Sequence, residues 1–209
     1  IPIKIIRSIF QEWELLTYLD HPNIIKTFGF YNGDKTQFPM IVLEYCLHNL
    51  EESIKHLEDI ELVRITYEIC SAMQYLHKKG IIHRDLTAKN ILINTNKNAK
   101  VCDFGISKIV DAKTLTSMTH GVGTLIYMAP ELFDENSKIT EKVDVYAFGV
   151  VLHFIVTKGS FPEWLMNKLL QNCEFPKNVT NLAKSLIKKC LSFSSEDRPS
   201  FTDIIKMIV

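Results

Sequence analysis

The 209-residue sequence contains little glycine and proline, with eight and seven residues, and neither recurs at a fixed interval. This excludes a collagen-like chain. The sequence carries no excess of either charge, because lysine plus arginine and aspartate plus glutamate both number 24. We therefore expect no nucleic acid as a partner, since no overall positive charge would attract it. Hydrophobic residues make up 46% of the chain, which excludes an intrinsically disordered polypeptide.

Long apolar runs and closely spaced cysteine pairs are absent as well. The longest apolar run spans residues 146–156 and is interrupted by His153, whereas a bilayer span needs about 20 apolar residues. The sequence therefore predicts a buried core helix here and no membrane span. The five cysteines form no Cys-x-x-Cys pair, and no secretory signal is visible, so we expect reduced thiols and a cytoplasmic protein.

The apolar pattern changes near residue 45. Before it, residues 1–6, 24–31 and 38–45 read as strands, and Ser8 with Gln11 resembles a capping box that opens a helix. After it, apolar residues three and four positions apart predict a long helix from Asp59. Further helices are predicted over residues 140–157, 162–172, 180–191 and from residue 200. Predicted strands before residue 45 and helices after it indicate an α+β protein with two lobes.

Three short motifs follow one another in the helical part. The first is His83-Arg84-Asp85-Leu86-Thr87-Ala88-Lys89-Asn90, and Asp103-Phe104-Gly105 begins thirteen residues after Asn90. Ala129-Pro130-Glu131 then closes an irregular segment. A single aspartate in a loop is usually a helix cap or a turn residue, so each motif alone is a weak signal. The ordered set is a specific one.

On these motifs the sequence resembles the eukaryotic protein kinase family over nearly its whole length. The resemblance implies a two-lobed α+β kinase fold, with a truncated β-rich N-lobe in residues 1–45 and a mainly helical C-lobe in residues 46–209. It implies an enzyme that uses ATP and Mg²⁺ to phosphorylate protein substrates in intracellular signalling, with an upstream kinase as a further partner. Gly123-Thr124 resembles the serine/threonine form. Thr87 and Lys89 resemble the tyrosine-kinase-like group, whose members mostly phosphorylate serine or threonine.

The resemblance also implies roles at the catalytic centre. Asp85 would accept the proton of the substrate hydroxyl or orient that hydroxyl. Asp103 would hold a Mg²⁺ ion that bridges the phosphates, and Asn90 would supply an oxygen to a second one. Two interpretations of Lys89 stay open: it neutralises the γ-phosphate in place of a missing lysine, or it is a solvated surface residue.

The front end of the sequence departs from the family pattern. No Gly-rich loop precedes Ile1, and residues 1–4 resemble the strand whose lysine, here Lys4, binds the phosphates and pairs with Glu12 on the next helix. Only seven residues separate Lys4 from Glu12, fewer than in the family. This spacing predicts that residues are missing and that the chain is joined near residues 7–10.

Four further residues are implied to surround the adenine. Leu43 corresponds to the gatekeeper, and Glu44 and Cys46 belong to the hinge, whose backbone would bind the base. Leu92 would pack beneath the ring. Cys46 is interpreted as a small apolar thiol in preference to a reactive one, because reactivity needs a lowered pKa or an exposed position.

The irregular segment after Asp103 corresponds to the activation segment of the family. A phosphate on one of its hydroxyl residues could pair with Arg84 and order the segment. The candidates are Thr114, Thr116, Ser117 and Thr119, whereas Thr124 is predicted to help form the substrate site.

Six other positions are implied to be structural. His83 would pack below Phe104, with Leu16 continuing the stack. Glu131 and Arg198 would form a buried ion pair, since a lone buried arginine is costly. Asp144 would hold the backbone of the catalytic loop.

A second class of function stays open, namely a pseudokinase or an inactive kinase fragment that acts as a protein-binding scaffold. The intact Asp85, Asn90 and Asp103 favour the enzyme, because a scaffold has no need of all three. The missing Gly-rich loop favours the scaffold.

Overall fold

A computed structural model describes residues 3–34, 37–105, 108–109, 125–134, 136–161 and 175–209, without the side chains of residues 3–5 and 108–109. The helix predicted at residues 162–172 lies outside this part of the chain. The helices are α1 (Ile3–Thr17), α2 (Leu50–Ser53), α3 (Asp59–Lys78), α4 (Lys142–Val156), α5 (Asn181–Cys190) and α6 (Phe201–Ile208). The strands are β1 (Thr27–Tyr31), β2 (Met40–Leu43), β3 (His48–Asn49), β4 (Ile81–Ile82), β5 (Ile91–Ile93), β6 (Ala99–Val101) and β7 (Lys108–Ile109). None of the helices described is long and apolar enough to cross a membrane.

The first helix differs from the sequence prediction. Helix α1 runs without interruption from Ile3 to Thr17, so the predicted strand over residues 1–6, the helix start at Ser8 and the join near residues 7–10 are wrong. The apolar residues Ile6, Phe10 and Trp13 are four and three positions apart, a helical spacing that extends back past Ser8. The branched residues at the start therefore belong to the helical pattern.

Three small antiparallel sheets follow α1 in the described part of the chain. Strands β1 and β2 form a hairpin, in which Tyr31 lies opposite Met40. A second sheet has the order β3-β5-β6, and a third pairs β4 with β7. The α1–β1 connection docks on the second sheet, because Ile25 donates to the Val101 carbonyl at 2.9 Å and Val101 donates to that of Asn23 at 2.8 Å. The combination of small sheets with a mainly helical remainder confirms the predicted α+β class. The division at residue 45 stays a prediction.

Helices α3 and α4 form the centre of the core. The predicted apolar face of α3 is buried: Leu62, Ile65, Ile69, Met73 and Leu76. The N-cap of α3 is Glu58, one residue before the predicted Asp59. Helix α4 is buried along its length from Val143 to Ile155, as expected for the longest apolar run. Helix α5 packs closely on α4 at Gly149, where a Cβ atom would lie 2.8 Å from the Cβ of Cys190.

A buried ion pair joins the end of the irregular segment to the helical part. The Arg198 guanidinium donates to both carboxylate oxygens of Glu131, at 2.6 and 2.8 Å, and its side chain has no solvent exposure. Its other N–H groups donate to backbone carbonyls of Ser192, Phe193 and Lys142. The charge of the Arg198 guanidinium is therefore compensated by Glu131, and its hydrogen-bond donors are satisfied, so the side chain can be buried.

Breaking this pair should destabilise the fold strongly. We expect Glu131→Gln to lower the free energy of unfolding by about 3–5 kcal/mol, because it leaves the buried Arg198 without its counter-charge. Urea unfolding followed by circular dichroism measures this loss. Asp59→Asn, which removes an exposed pair with Lys158, is the matched control and should shift the midpoint little. Equal shifts in the two variants would contradict the prediction.

The histidine inside α4 makes stability depend on pH. Burial lowers the pKa of His153 from 6.5 to about 4. Between these values the unfolded chain binds a proton that the folded chain does not, so the free energy of unfolding falls as pH decreases from 6.5 to 4. His153→Phe keeps a ring but cannot bind the proton. We expect urea midpoints to fall less steeply over this range in His153→Phe than in the unsubstituted chain; parallel slopes would contradict the prediction.

Candidate active site

The β5–β6 hairpin brings the two predicted metal ligands, Asn90 and Asp103, close to each other. Asn90 immediately precedes β5, and Asp103 follows β6 after one intervening residue, while Ile91 lies opposite Val101 in the antiparallel register. The N–H of Cys102 donates to the Asn90 carbonyl at 2.9 Å and closes this end of the hairpin. A local turn therefore places Asn90 and Asp103 close together although they are thirteen positions apart in the sequence.

Asp85 and Asn90 are held against each other by hydrogen bonds. The Asn90 Nδ2 donates to the Asp85 carbonyl at 2.8 Å and to its carboxylate Oδ2 at 2.9 Å. Because both partners are acceptors, the amide nitrogen faces Asp85 and the amide oxygen Oδ1 faces away from it. Thr87 caps the turn between the two residues, since its Oγ1 accepts the Asn90 N–H at 3.3 Å.

A fully buried carboxylate fixes the backbone just before Asp85. Asp144 Oδ1 accepts the Arg84 N–H at 2.8 Å, and its Oδ2 accepts the His83 N–H at 2.9 Å and contacts His77 Nε2 at 2.8 Å. Burial alone would raise the pKa of Asp144, but the hydrogen bond from His77 and the other donors hold it below its ordinary value. Arg84 adopts φ of +70°, a conformation that residues other than glycine rarely adopt.

The predicted packing of His83 against Phe104 is present in the structure, whereas the continuation of the stack by Leu16 stays a prediction. The rings of His83 and Phe104 lie 5.1 Å apart, and Phe104 and Leu16 are buried. The Asp85 N–H lies 3.2 Å from His83 Nδ1, so this nitrogen accepts and Nε2 donates to the Cys102 carbonyl at 3.0 Å. Since both ring nitrogens are engaged, His83 serves as a packing and fixing residue in the structure.

Glu12 contacts the Asp103-Phe104-Gly105 motif directly. Its Oε1 accepts the Phe104 N–H at 3.1 Å. Burial raises the pKa of Glu12, the Phe104 N–H opposes this, and the charge of Asp103 raises it further. Helix α1 therefore reaches the catalytic centre through this carboxylate.

The structure places Lys4 on a helix and not on the predicted strand opposite Glu12. Lys4 lies on α1 together with Glu12, eight residues away, which corresponds to about 12 Å along a helix. The strand placement of Lys4 is wrong because the segment is helical, and its side chain is outside the described residues. The phosphate-binding role of Lys4 was inferred from its place on a strand, and the helix removes that basis.

The hinge candidates lie between β2 and β3. Leu43 ends β2 and is partly exposed. The Glu44 carboxylate accepts the Lys26 N–H at 2.8 Å and pairs with Lys100 at 2.8 Å, so it fastens the hinge to β6. Leu92 lies on β5 and packs against the edge of the core.

The chemistry of Cys46 favours the apolar interpretation. Burial raises the pKa of its thiol, and the charge of Glu44 raises it further. The thiolate that would act as a nucleophile is therefore disfavoured.

Lys89 lies on the exposed side of the turn that precedes β5. Its ammonium is 4.0 Å from the Glu51 carboxylate, and 72% of its side chain is exposed. Such a pair is weak, so it restrains Lys89 little. Both interpretations of Lys89 stay predictions.

Arg84 was predicted to pair with a regulatory phosphate. Its Nε is buried and has no hydrogen-bond partner among the residues that the structure describes. Burial lowers the pKa of Arg84, and the charge of Asp144 opposes this. The candidate phosphate sites Thr114, Thr116, Ser117 and Thr119, together with Thr124, lie outside the described residues.

Two contacts of the site were missed by the sequence analysis. Tyr127 accepts the Ala88 N–H with its hydroxyl at 3.4 Å and so joins the segment before Ala129-Pro130-Glu131 to the catalytic turn. His77 reaches Asp144 across 67 residues of sequence. Neither has a local signal, because each depends on tertiary contact. The Thr87 cap could have been found from its position three residues before Asn90.

Comparison with known proteins agrees with this geometry. A model of the family "Protein tyrosine and serine/threonine kinase" matches residues 4–208. A probable serine/threonine-protein kinase of Dictyostelium discoideum is 34% identical over 93% of this chain and 20% of its own length. The serine/threonine-protein kinase ppk16 of Schizosaccharomyces pombe is 31% identical over 97% of this chain and 31% of its own length. The tyrosine-protein kinase receptor svh-2 of Caenorhabditis elegans is 28% identical over 97% and 20%.

These matches concern one domain of larger proteins, because the chain spans less than a third of each of these relatives. The family match covers almost all of the sequence, and the predicted kinase fold is confirmed by it. The chain belongs to the protein tyrosine and serine/threonine kinase family.

Proposed function

We propose that the chain transfers the γ-phosphate of ATP to serine or threonine hydroxyl groups of proteins, as part of intracellular signalling in the cytoplasm. One observation carries this proposal: the Asp85 carboxylate is held by the Asn90 amide on a loop whose backbone is fixed by the buried Asp144. Two of the relatives described above are named serine/threonine kinases, which supports the choice of hydroxyl. Membership of the tyrosine-kinase-like group stays a prediction.

The proposed chemistry depends on positioning rather than on a covalent intermediate. Asp85 would accept the hydrogen bond of the substrate hydroxyl, align its oxygen with the phosphorus and take up its proton. Asn90 keeps the Asp85 carboxylate from rotating, because it donates to one carboxylate oxygen and to the carbonyl of the same residue. Tyr127 would bring the neighbouring segment, with its predicted substrate site, to the same turn.

The residues at the end of the β5–β6 hairpin fit Mg²⁺. An amide oxygen of Asn90 and the carboxylate of Asp103 are the hard oxygen ligands that Mg²⁺ prefers, alongside phosphate oxygens and water. Bound there, the metal would neutralise phosphate charge. Asp103 adopts φ of +65°, and its Oδ1 accepts the Gly105 N–H at 3.3 Å. Hinge backbone from Leu43 to Cys46, with Leu92 below, would receive the adenine.

Regulation by an upstream kinase is part of the proposal. The buried Nε of Arg84 lies one residue before Asp85, so an anion bound to its guanidinium would act close to the catalytic carboxylate. A phosphate on Thr114, Thr116, Ser117 or Thr119 would be such an anion.

The scaffold alternative has its own support. Lys4 lies on α1 and not on a strand facing Glu12, so the strand lysine of the family pattern is not supplied at this position. A protein that binds nucleotide or a partner without transferring phosphate would tolerate this arrangement.

Phosphate transfer and nucleotide binding separate the two functions. We expect the chain to transfer radiolabelled phosphate from Mg·ATP to a generic basic protein, on serine or threonine. Asp85→Asn should lower this rate at least about 100-fold, because the base is lost while an oxygen remains to accept the Asn90 hydrogen bond. Binding of a fluorescent ATP analogue should be unchanged in the variant.

Asp20→Asn is the control, since Asp20 is an exposed aspartate at the end of α1. Its transfer rate should equal that of the unsubstituted chain. Nucleotide binding without transfer, also after treatment with an activating kinase, would favour the scaffold. Transfer that persists in Asp85→Asn would overturn the role of Asp85.

A further inference from the structure

Helix α3 carries a second apolar stripe, on a face that does not point into the core. Ile60, Val63 and Tyr67 are three and four positions apart and so lie on one face of the helix. Their exposed fractions are 73%, 66% and 43%. A single exposed apolar residue is ordinary on a protein surface, whereas an exposed stripe marks a surface that contacts another molecule.

The charged residues of α3, in contrast, have partners within the chain. Glu61 pairs with Lys97 at 2.6 Å, and Arg64 donates to the Lys97 carbonyl at 3.0 Å. Glu68 accepts the Ala99 N–H at 2.6 Å. These contacts fasten α3 to the β5–β6 hairpin, and the apolar stripe is left without such a role.

The stripe borders a groove between the helices. Val63 and Tyr67 line this groove from α3, and Leu182, which is 53% exposed, lines it from α5. Buried apolar residues of α3, α4 and α5 line its deeper part: Leu62, Ile155 and Leu186. The groove has a volume of about 360 Å³ and is bordered mainly by apolar side chains from its floor to its rim.

The charges at one end of the groove compensate each other. Asp59, at the start of α3, and Lys158, just after α4, both line the groove. Their side chains form an ion pair at 2.8 Å, and Lys158 also donates to the Leu57 carbonyl at 3.0 Å. This end therefore adds no net charge to the groove.

The lysines of α5 make the adjoining surface positive. Lys184 and Lys188 lie one turn apart, and Lys189 lies on the same helix face as Leu182, seven positions later. The three lysines line a second groove, in which Asp197 is the one carboxylate among the described lining residues. Within the described part of the chain, none of the three lies within 4.0 Å of a carboxylate oxygen. Their charges are therefore free to attract an acidic partner.

We propose that the apolar groove binds an acidic, amphipathic helix of a partner protein. The apolar face of that helix packs against Val63, Tyr67 and Leu182, and its carboxylates lie beside the lysines of α5. Helices form both walls of the groove, and a third helix packs its side chains between such walls. The inference goes beyond the proposed function and does not depend on phosphate transfer.

A protein helix fits this surface better than a membrane does. A bilayer surface is flat, whereas the apolar residues here surround a groove that extends down to the buried Leu62 and Ile155. The chain also has no net charge, so no overall positive field would hold it on an anionic membrane.

A library of random 16-residue peptides displayed on phage provides the probe. Sixteen residues form a helix about 24 Å long. The peptides are selected on the intact chain at low ionic strength, and the enriched ones are synthesised with a fluorescent label. We expect them to carry large apolar residues at helical spacing and an excess of Asp and Glu.

A charge in the wall of the groove should abolish this binding. We expect Val63→Asp to lower the affinity for the enriched peptides at least about tenfold in fluorescence anisotropy, because it places a carboxylate against their apolar face. Val63 is exposed, so the variant should keep the circular dichroism of the unsubstituted chain. Val42→Asp is the matched control, since Val42 is an exposed valine on β2, and it should bind with unchanged affinity.

Reversal of the lysine charges tests the acidic character of the partner. We expect the double variant Lys188→Glu and Lys189→Glu to lower the affinity at least about tenfold at low salt and less at high salt, where charges are screened. Lys138→Glu, at an exposed lysine outside both grooves, should leave the affinity unchanged.

Several outcomes would overturn the proposal. These are a selection that enriches no peptide, enriched peptides without an excess of acidic residues, and equal affinity for Val63→Asp and the unsubstituted chain. The same measurements with phosphatidylserine vesicles, a fluorescent fatty acid and the chain's own self-association test other occupants. If one of these, and not the peptides, loses binding in Val63→Asp, the groove belongs to a lipid or to a second copy of the chain.

Discussion

The arrangement of the catalytic loop depends on one buried carboxylate. A charged group with no access to water is costly unless hydrogen bonds replace those of water, and Asp144 receives such bonds on both oxygens. Two of the donors are consecutive backbone N–H groups of the loop. The carboxylate is therefore satisfied only when the loop adopts the conformation that presents both groups, including the left-handed Arg84. The free energy of burying Asp144 selects that conformation.

The rest of the site is built outward from this anchor. Helix α4 supplies Asp144 from the centre of the core, where its neighbours are buried and cannot shift easily. Strands β4 and β5 flank the loop. The β5–β6 hairpin then fixes the position of Asp103 relative to Asn90. Glu12 of α1 then contacts the Phe104 amide from the opposite side. The Asp85 carboxylate is thus placed by the helical part, and the Asp103-Phe104-Gly105 motif is also contacted by α1.

Local patterns account for what could be predicted from the sequence. The motif spacing predicted that Asp85, Asn90 and Asp103 lie near one another, because a capped turn joins the first two and a short hairpin joins the last two. The apolar period predicted the buried face of α3. The strand predicted at the start of the chain is wrong for a physical reason. Branched residues favour strands only where a neighbouring strand pairs with them, and the same residues fit a helical period. The contacts of His77 and Tyr127 bridge 67 and 39 residues, so no local pattern contained them.

Three carboxylates from different parts of the chain act on one thiol next to the β5–β6 hairpin. Burial raises the pKa of Cys102 to about 12, and the charges of Asp103, Glu12 and Asp85 raise it further. One thiol beside the hairpin therefore experiences the field of carboxylates from α1, the catalytic loop and the end of β6. In the proposed function, these carboxylates would disfavour the phosphates of a free nucleotide and favour a divalent cation beside them. The cation would then serve nucleotide binding as well as transfer.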